Sequence, residues 1–175
     1  MPRTTGLQNY SYVHFTHRRI AGAIVDFFQP SGICLEPFKG EGAFYDHLPE
    51  GSLWCEISEG RDFFRFTDKV DWIITNPPFS NLTQVFEHAF TLSDHCVFLI
   101  PISKYFSSNP RIALADEYGG LETLLHVGTR HIGFDLDFPF AAMKFIRGYT
   151  GPVHINRITL QQANHSKGDD NGYTR

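Results

Sequence analysis

Residues 70–80 read VDWIITNPPFS, and this stretch decides the fold. Val70 to Thr75 is a largely apolar run of strand length, and Asn76-Pro77-Pro78 closes it, because two consecutive prolines remove two backbone donors from any ladder. Directly behind it, Leu82, Val85, Phe86, Ala89 and Phe90 recur on one face of a helix over Leu82–Leu92. A strand buried on both sides that feeds an amphipathic helix belongs to a parallel sheet with helices on its faces. Working outward, Ile33 to Leu35, Leu53 to Ile57 and Cys96 to Ile100 are further strand-length runs. Ile20 to Phe28 sets Ile20, Ile24, Phe27 and Phe28 on one helical face. The alternation predicts a doubly wound, mostly parallel α/β sheet. Beyond Pro101, glycines and prolines punctuate shorter runs. A helix is expected over Asn109–Tyr118, and Met143 to Ile146 and Val153 to Ile158, joined by a turn in GYTGP, are expected to close the sheet as a C-terminal antiparallel hairpin.

The chain has 175 residues, 42% of them hydrophobic, which suits one domain with one core. We assign that domain to residues 1–163 and read 164–175 (NHSKGDDNGYTR), almost without apolar content, as a disordered tail. With 15% aromatic and 19% charged residues the chain is neither intrinsically disordered nor a coiled coil. No apolar run approaches the roughly 18 residues a membrane span requires, and the polar start lacks a signal-peptide core, so a soluble cytoplasmic protein without membrane contact is expected. Cys34, Cys55 and Cys96 lie far apart inside apolar stretches. They suggest buried thiols and neither a disulfide framework nor a metal site. The net charge is -4, but it is unevenly spread: residues 31–72 hold nine acids against four bases, whereas the first 20 hold three bases and no acid. An acidic half with a basic rim suits a cationic cofactor beside a polyanion; an ordinary solvated surface would look the same.

Open α/β sheets bind ligands at the carboxyl ends of their strands, which directs attention to the loop after the first strand, Glu36-Pro37-Phe38-Lys39-Gly40-Glu41-Gly42. Gly40 and Gly42 allow close backbone approach, and a helix is expected to follow with free N–H groups at its start. The third glycine of a dinucleotide fingerprint is missing, and Glu36 would repel a pyrophosphate, so the loop fits a ligand carrying an ammonium or sulfonium; a plain strand-to-helix turn is the alternative. Glu56, twenty residues on at the end of the second strand, can accept both hydroxyls of a ribose. Asp62 can accept from an adenine amino group under Phe63 or Phe64, or it caps a turn.

Asn-Pro-Pro-aromatic arises by chance in about two chains per thousand of this length. Pro77 and Pro78 fix two successive backbone dihedrals, so the Asn76 amide, the backbone carbonyls and the Phe79 ring are presented rigidly. An exocyclic purine amine is a poor nucleophile because its lone pair is delocalised into the ring. Two acceptors, the Asn76 side-chain oxygen and the Pro77 carbonyl, would hold both amino hydrogens and favour a pyramidal nitrogen aimed at an electrophile. Phe79 would stack on a base that has left its helix.

Glu36-Pro37-Phe38-Lys39-Gly40-Glu41-Gly42, then Glu56, Asp62 and Asn76-Pro77-Pro78-Phe79, in this order and spacing, resemble the S-adenosylmethionine-dependent amino-methyltransferases, especially the N6-adenine enzymes of DNA and RNA. The resemblance covers about residues 10–105 and implies a class I, Rossmann-like methyltransferase fold. It implies that Glu36, Pro37, Phe38, Gly40 and Gly42 hold the methionine end of S-adenosyl-L-methionine. Glu56 would take the ribose, Asp62 and Phe63 the adenine, and Asn76, Pro77, Pro78 and Phe79 the target base, with Asn76 also bordering the cofactor. Upstream, YSYVHFTHRRIAGAIVDFF is similar to the family's amino-terminal cofactor motif, with Phe15 and Thr16 at its centre; His17 stands where that motif usually has proline. Relatives that modify DNA carry an extra target-recognition domain for which this chain has no room. The implied partners are therefore a nucleic acid, DNA before RNA, together with a second copy or a separate recognition subunit. Arg130, His131, Lys144, Arg147 and Arg157 are candidate phosphate contacts. Guanine N2 in RNA, a protein glutamine amide, and a non-catalytic cofactor-binding partner remain as alternatives.

Overall fold

The computed structural model describes residues 16–127 and 139–158. In chain order the elements are α1 (Arg18–Phe28), β1 (Cys34–Glu36), β2 (Leu53–Trp54), β3 (Val70–Thr75), α2 (Leu82–Leu92), β4 (Ser93–Pro101), α3 (Ile102–Phe106), α4 (Asn109–Tyr118), β5 (Gly119–His126), β6 (Phe140–Arg147) and β7 (His154–Arg157). The described strands form one sheet in the order β2-β1-β3-β4-β6-β5-β7. Every neighbouring pair is parallel except β4 with β6 and β6 with β5, so β6 alone runs against the rest. No described helix is long and apolar enough to cross a membrane.

Helices cover both faces. On one, α2 and α4 bury a ring cluster in which Phe86 stacks on Phe98 at 4.5 Å and Phe90 stacks on Tyr118 at 4.0 Å. On the other, α1 packs Ile20, Ile24 and Phe28 against Trp72, Ile74, Val97 and Leu99. Phe27, expected on that inner face, is instead 42% exposed; it stands edge-on to Phe28 at 5.0 Å while Ala21 and Val25 fill the inner stripe. Cys34, Cys55 and Cys96 are buried free thiols, and burial pushes the Cys55 pKa up to about 11 and that of Cys96 up to about 12.

Three expectations are corrected. The β1-to-β2 crossover holds no helix, only turns and a 3-10 turn over Tyr45–His47 that lies against α1. Gly22 permits this approach, since a Cβ there would stand 2.9 Å from His47 Cε1. The expected hairpin does not form. Phe140–Arg147 is a central strand between β4 and β5, and His154–Arg157 crosses beyond it to run parallel to β5 at the sheet edge. Burial explains the difference: β6 is apolar and covered on both faces for most of its length, whereas all four residues of β7 are exposed. The second strand is also shorter than Leu53 to Ile57, because Ile57 leaves the sheet for a 3-10 turn.

The step from α2 to β4 has no loop residue, so carbonyls at the helix end need partners from elsewhere. Lys69 Nζ donates to Thr91 O, and Arg147 donates to Phe90 O and Ser93 O. A groove of about 650 Å³ at this end of the sheet is bordered by Ile33, Asp71, Asp94 and these two cations.

Candidate active site

From β1 the chain passes to β2 on one side and, later, to β3 on the other, so the carboxyl ends of β1 and β3 flank the crevice where the strand order diverges. Glu36 closes β1 and is 1% exposed. Its Oε1 accepts from Oγ1 of Thr75, the last residue of β3, at 2.6 Å, while its Oε2 is buried with no hydrogen-bond partner among the described residues. Burial raises the Glu36 pKa well above 4.5. The Thr75 hydroxyl and the Phe38 N–H oppose the shift, and the charge of Glu56 adds to it.

The loop that follows is held from two sides. Gly40 N–H donates to Glu56 Oε2 at 2.9 Å, and Glu56 Oε1 accepts from the Ser58 hydroxyl at 2.8 Å and the Ser58 N–H at 3.2 Å. Desolvation pushes the Glu56 pKa up, but these bonds and the charge of Lys39 outweigh it, and the net shift is downward. From α1, Arg18 donates to Glu41 O at 3.0 Å and pairs with Asp46. Gly40 and Gly42 have φ of 50° and 83°, left-handed values that a side chain would strain. Lys39 and Arg61 both sit over the Trp54 ring, at 3.7 and 3.8 Å, and Lys39 pairs with Glu59 at 2.8 Å.

At the end of β3, Asn76 Nδ2 donates to Thr16 Oγ1 at 3.0 Å, which joins the upstream stretch to the Asn-Pro-Pro-Phe corner. Pro77 is buried and Pro78 exposed. Phe79 opens the 3-10 turn that leads into α2, half-buried, with its ring 6.0 Å from that of Phe140. Asp62 caps the 3-10 turn Phe63–Arg65 through a bond from Phe64 N–H to its Oδ1 at 3.0 Å. Phe63 is 2% exposed, edge-on to Phe38 at 5.2 Å, so the ring beside Asp62 that faces outward is Phe64, 41% exposed.

The structure therefore brings Thr16, Glu36, Pro37, Phe38, Gly40, Gly42, Glu56 and Asn76 to one end of the sheet, while Phe63 supports that end from the core. Phe15, Arg130, His131 and the tail from 164 lie outside the described residues. Two expected phosphate contacts are not at this end. Arg147 closes the antiparallel strand at the opposite end, bound to Asp94 and helix carbonyls, and Lys144 is tied to Glu122 at 3.5 Å with its ammonium over Trp72. Arg157, at the carboxyl end of β7, is on the site's side. The sequence reading missed Thr75, Arg18 and Ser58. Thr75 carried a signal as a hydroxyl ending an otherwise apolar strand; the other two carried none.

No protein-family model matches the sequence, and no curated protein sequence matches it. Solved structures do. A protein assigned as a modification subunit of a type I restriction enzyme from Vibrio vulnificus YJ016 superposes with a TM-score of 0.64 at 18% identity, over 87% of this chain and 48% of its own. The fold is that of the class I methyltransferases. The type IIG restriction endonuclease BpuSI shares it (TM-score 0.63, 12% identity, 90% of this chain and 29% of its own). So does magnesium protoporphyrin IX methyltransferase from Synechocystis PCC 6803, solved with S-adenosylmethionine bound (TM-score 0.53, 14% identity, 73% of this chain and 76% of its own). The chain spans about half the length of the Vibrio protein.

Proposed function

We propose that the chain is an S-adenosylmethionine-dependent methyltransferase acting on the exocyclic amino group of a nucleic-acid base, adenine N6 in DNA. The observation that carries this is the pairing, across one crevice, of an Asn-Pro-Pro-Phe corner at the end of β3 with a buried carboxyl at the end of β1 whose Oε2 has no hydrogen-bond partner among the described residues. A buried acceptor without a donor is costly. The α-ammonium of S-adenosylmethionine is a donor of the right charge, so the residues fit this cofactor. Glu36 and the Gly40–Gly42 loop would hold its methionine end, Glu56 its ribose, and Asp62 with Phe64 its adenine. When bound, the cofactor supplies an electrophilic methyl group on a sulfonium.

The chain's own residues act on the acceptor. Asn76 Oδ1 and the Pro77 carbonyl accept the two amino hydrogens, localise the lone pair and orient it. Phe79, its ring braced by Phe140, stacks on the base. No strong general base is required, because the proton becomes acidic once the new bond forms. Likeness to a restriction-enzyme modification subunit supports a nucleic-acid substrate.

The test is radiolabelled methyl transfer to duplex DNA, single-stranded DNA, ribosomal RNA and protein, followed by nucleoside mass spectrometry. Label recovered as N6-methyladenine from DNA is the expected result. Label confined to protein, or to guanine in RNA, contradicts the assignment.

A further inference from the structure

We propose that Trp54 is a positioning residue for the cofactor, fixing the spacing between the loop that takes its methionine end and the loop that takes its adenine; this deepens the methyltransferase reading and rests on it. Lys39 Nζ lies 3.7 Å and Arg61 Cζ 3.8 Å from the centre of the Trp54 ring. Two cationic groups that close to the centre of one face would overlap, so they take opposite faces and the ring is sandwiched between them. Each is the residue immediately before a proposed cofactor contact, Lys39 before Gly40 and Arg61 before Asp62. One indole thus joins the two loops. Glu56, the proposed ribose contact, stands between them. It follows Trp54 by two residues on extended backbone, so the two side chains share a face. Its carboxylate accepts from Gly40 N–H at 2.9 Å and its carbonyl from Arg61 N–H at 3.1 Å.

The glycine loop needs such a hold. Gly40 has no side chain to anchor it and many conformations open to it, so the task falls to its neighbour. Lys39 donates its N–H to Cys55 O at 3.0 Å and its ammonium to Glu59 at 2.8 Å, and its side chain over Trp54 is only 18% exposed. A cation over an indole is held more strongly the less water it meets. Setting the spacing in advance removes part of the ordering cost of binding, and a ligand gains from it only by touching both loops. The ribose and adenine contacts, Glu56 and Asp62, lie on one short stretch that the Glu56–Arg61 backbone bridge keeps together without Trp54. The methionine-end loop is the part that Trp54 adds.

Trp54→Leu keeps apolar bulk and removes the ring, whereas Trp54→Phe keeps a ring. For each, and for the wild type, melting temperature is to be measured, with calorimetric affinity for S-adenosylmethionine and for 5′-methylthioadenosine, which has the adenine and ribose without the amino-acid end. Trp54→Leu is expected to bind S-adenosylmethionine about tenfold more weakly and 5′-methylthioadenosine within about twofold of the wild type. Trp54→Phe is expected to stay within about threefold for both. The effect of Lys39→Met on S-adenosylmethionine affinity is expected to differ by about fivefold or more between the wild-type and Trp54→Leu backgrounds. A direct effect of the Lys39 charge, or of its pair with Glu59, is the same in both and cancels. Equal effects in the two backgrounds overturn the proposal. So does an equal loss for both ligands in Trp54→Leu, which would make Trp54 a support of the nucleoside end alone. If Trp54→Leu does not fold, Lys39→Met and Arg61→Met form the cycle, since removing either cation opens the sandwich; effects that multiply fully overturn the proposal. A wild type that binds neither ligand overturns the function reading and the proposal with it, whereas equal binding of S-adenosylmethionine by wild type and Trp54→Leu overturns the proposal alone.

Discussion

Replacing Glu36 by Gln should make the free protein more stable and the cofactor complex weaker, and the two effects can be separated by pH. The carboxyl is 1% exposed, with one oxygen on Thr75 and the other without a partner among the described residues, and its folded pKa lies well above the 4.5 of the exposed group. Between those two values the native state holds a proton that the unfolded state has released, so stability falls as pH rises. The stabilising contribution is complete below about pH 4.5 and is lost as pH climbs to the folded pKa, at a slope of up to about 1.4 kcal/mol per pH unit for one proton. Glutamine keeps an acceptor for Thr75 and does not titrate. Glu36→Gln should therefore match the wild type near pH 4.5 and exceed it increasingly at higher pH, by denaturant unfolding across pH 4.5 to 9. At neutral pH it should bind S-adenosylmethionine about tenfold or more weakly, because a charge-assisted hydrogen bond worth about 1.5–3 kcal/mol is lost. A variant less stable than the wild type at pH 8, or one with unchanged cofactor affinity, would refute the reasoning.

Glu56→Ala removes the acceptor of the Gly40 N–H as well as the proposed ribose contact, and cofactor affinity by calorimetry should fall at least tenfold; unchanged affinity in the folded variant removes Glu56 from the site. Phe79→Ala loses base stacking worth about 1–3 kcal/mol and also its contact with Phe140, so steady-state kinetics should show a raised KM for nucleic acid and melting a lowered Tm. Phe86→Ala opens a cavity in the ring cluster beneath α2, and denaturant unfolding should report a loss of about 3–5 kcal/mol.

Where apolar patterning was strong, the sequence was legible to the residue: Val70–Thr75 and Leu82–Leu92 are the observed bounds of β3 and α2, while the helix expected at about Asn109–Tyr118, which has little amphipathic pattern, is found as α4. β5 went unseen because it opens on Gly119-Gly120 and mixes Glu122 and Thr123 into its run. The partner of β7 went wrong because a glycine-proline turn signals a reversal locally, while the choice of neighbour is made by the whole sheet. A strand covered on both faces sits centrally, and one exposed on both sits at the edge. Glu36, Gly40, Glu56 and Asn76 could be placed because strand ends gather at a switch point. The bond from Asn76 to Thr16 could not, since nothing local ties residues sixty positions apart. Phe63 and Phe64 were indistinguishable as letters; only packing against Phe38 and His88 sends the first inward.

The most direct test of the central claim is single-turnover methyl transfer from S-adenosylmethionine to adenine-containing DNA by the wild type and Asn76→Ala, with cofactor affinity measured on the same preparations. The account predicts label on adenine N6 with the wild type, and a loss of about a hundredfold or more in rate for Asn76→Ala at nearly unchanged cofactor affinity. Full methylation of the base by Asn76→Ala contradicts it.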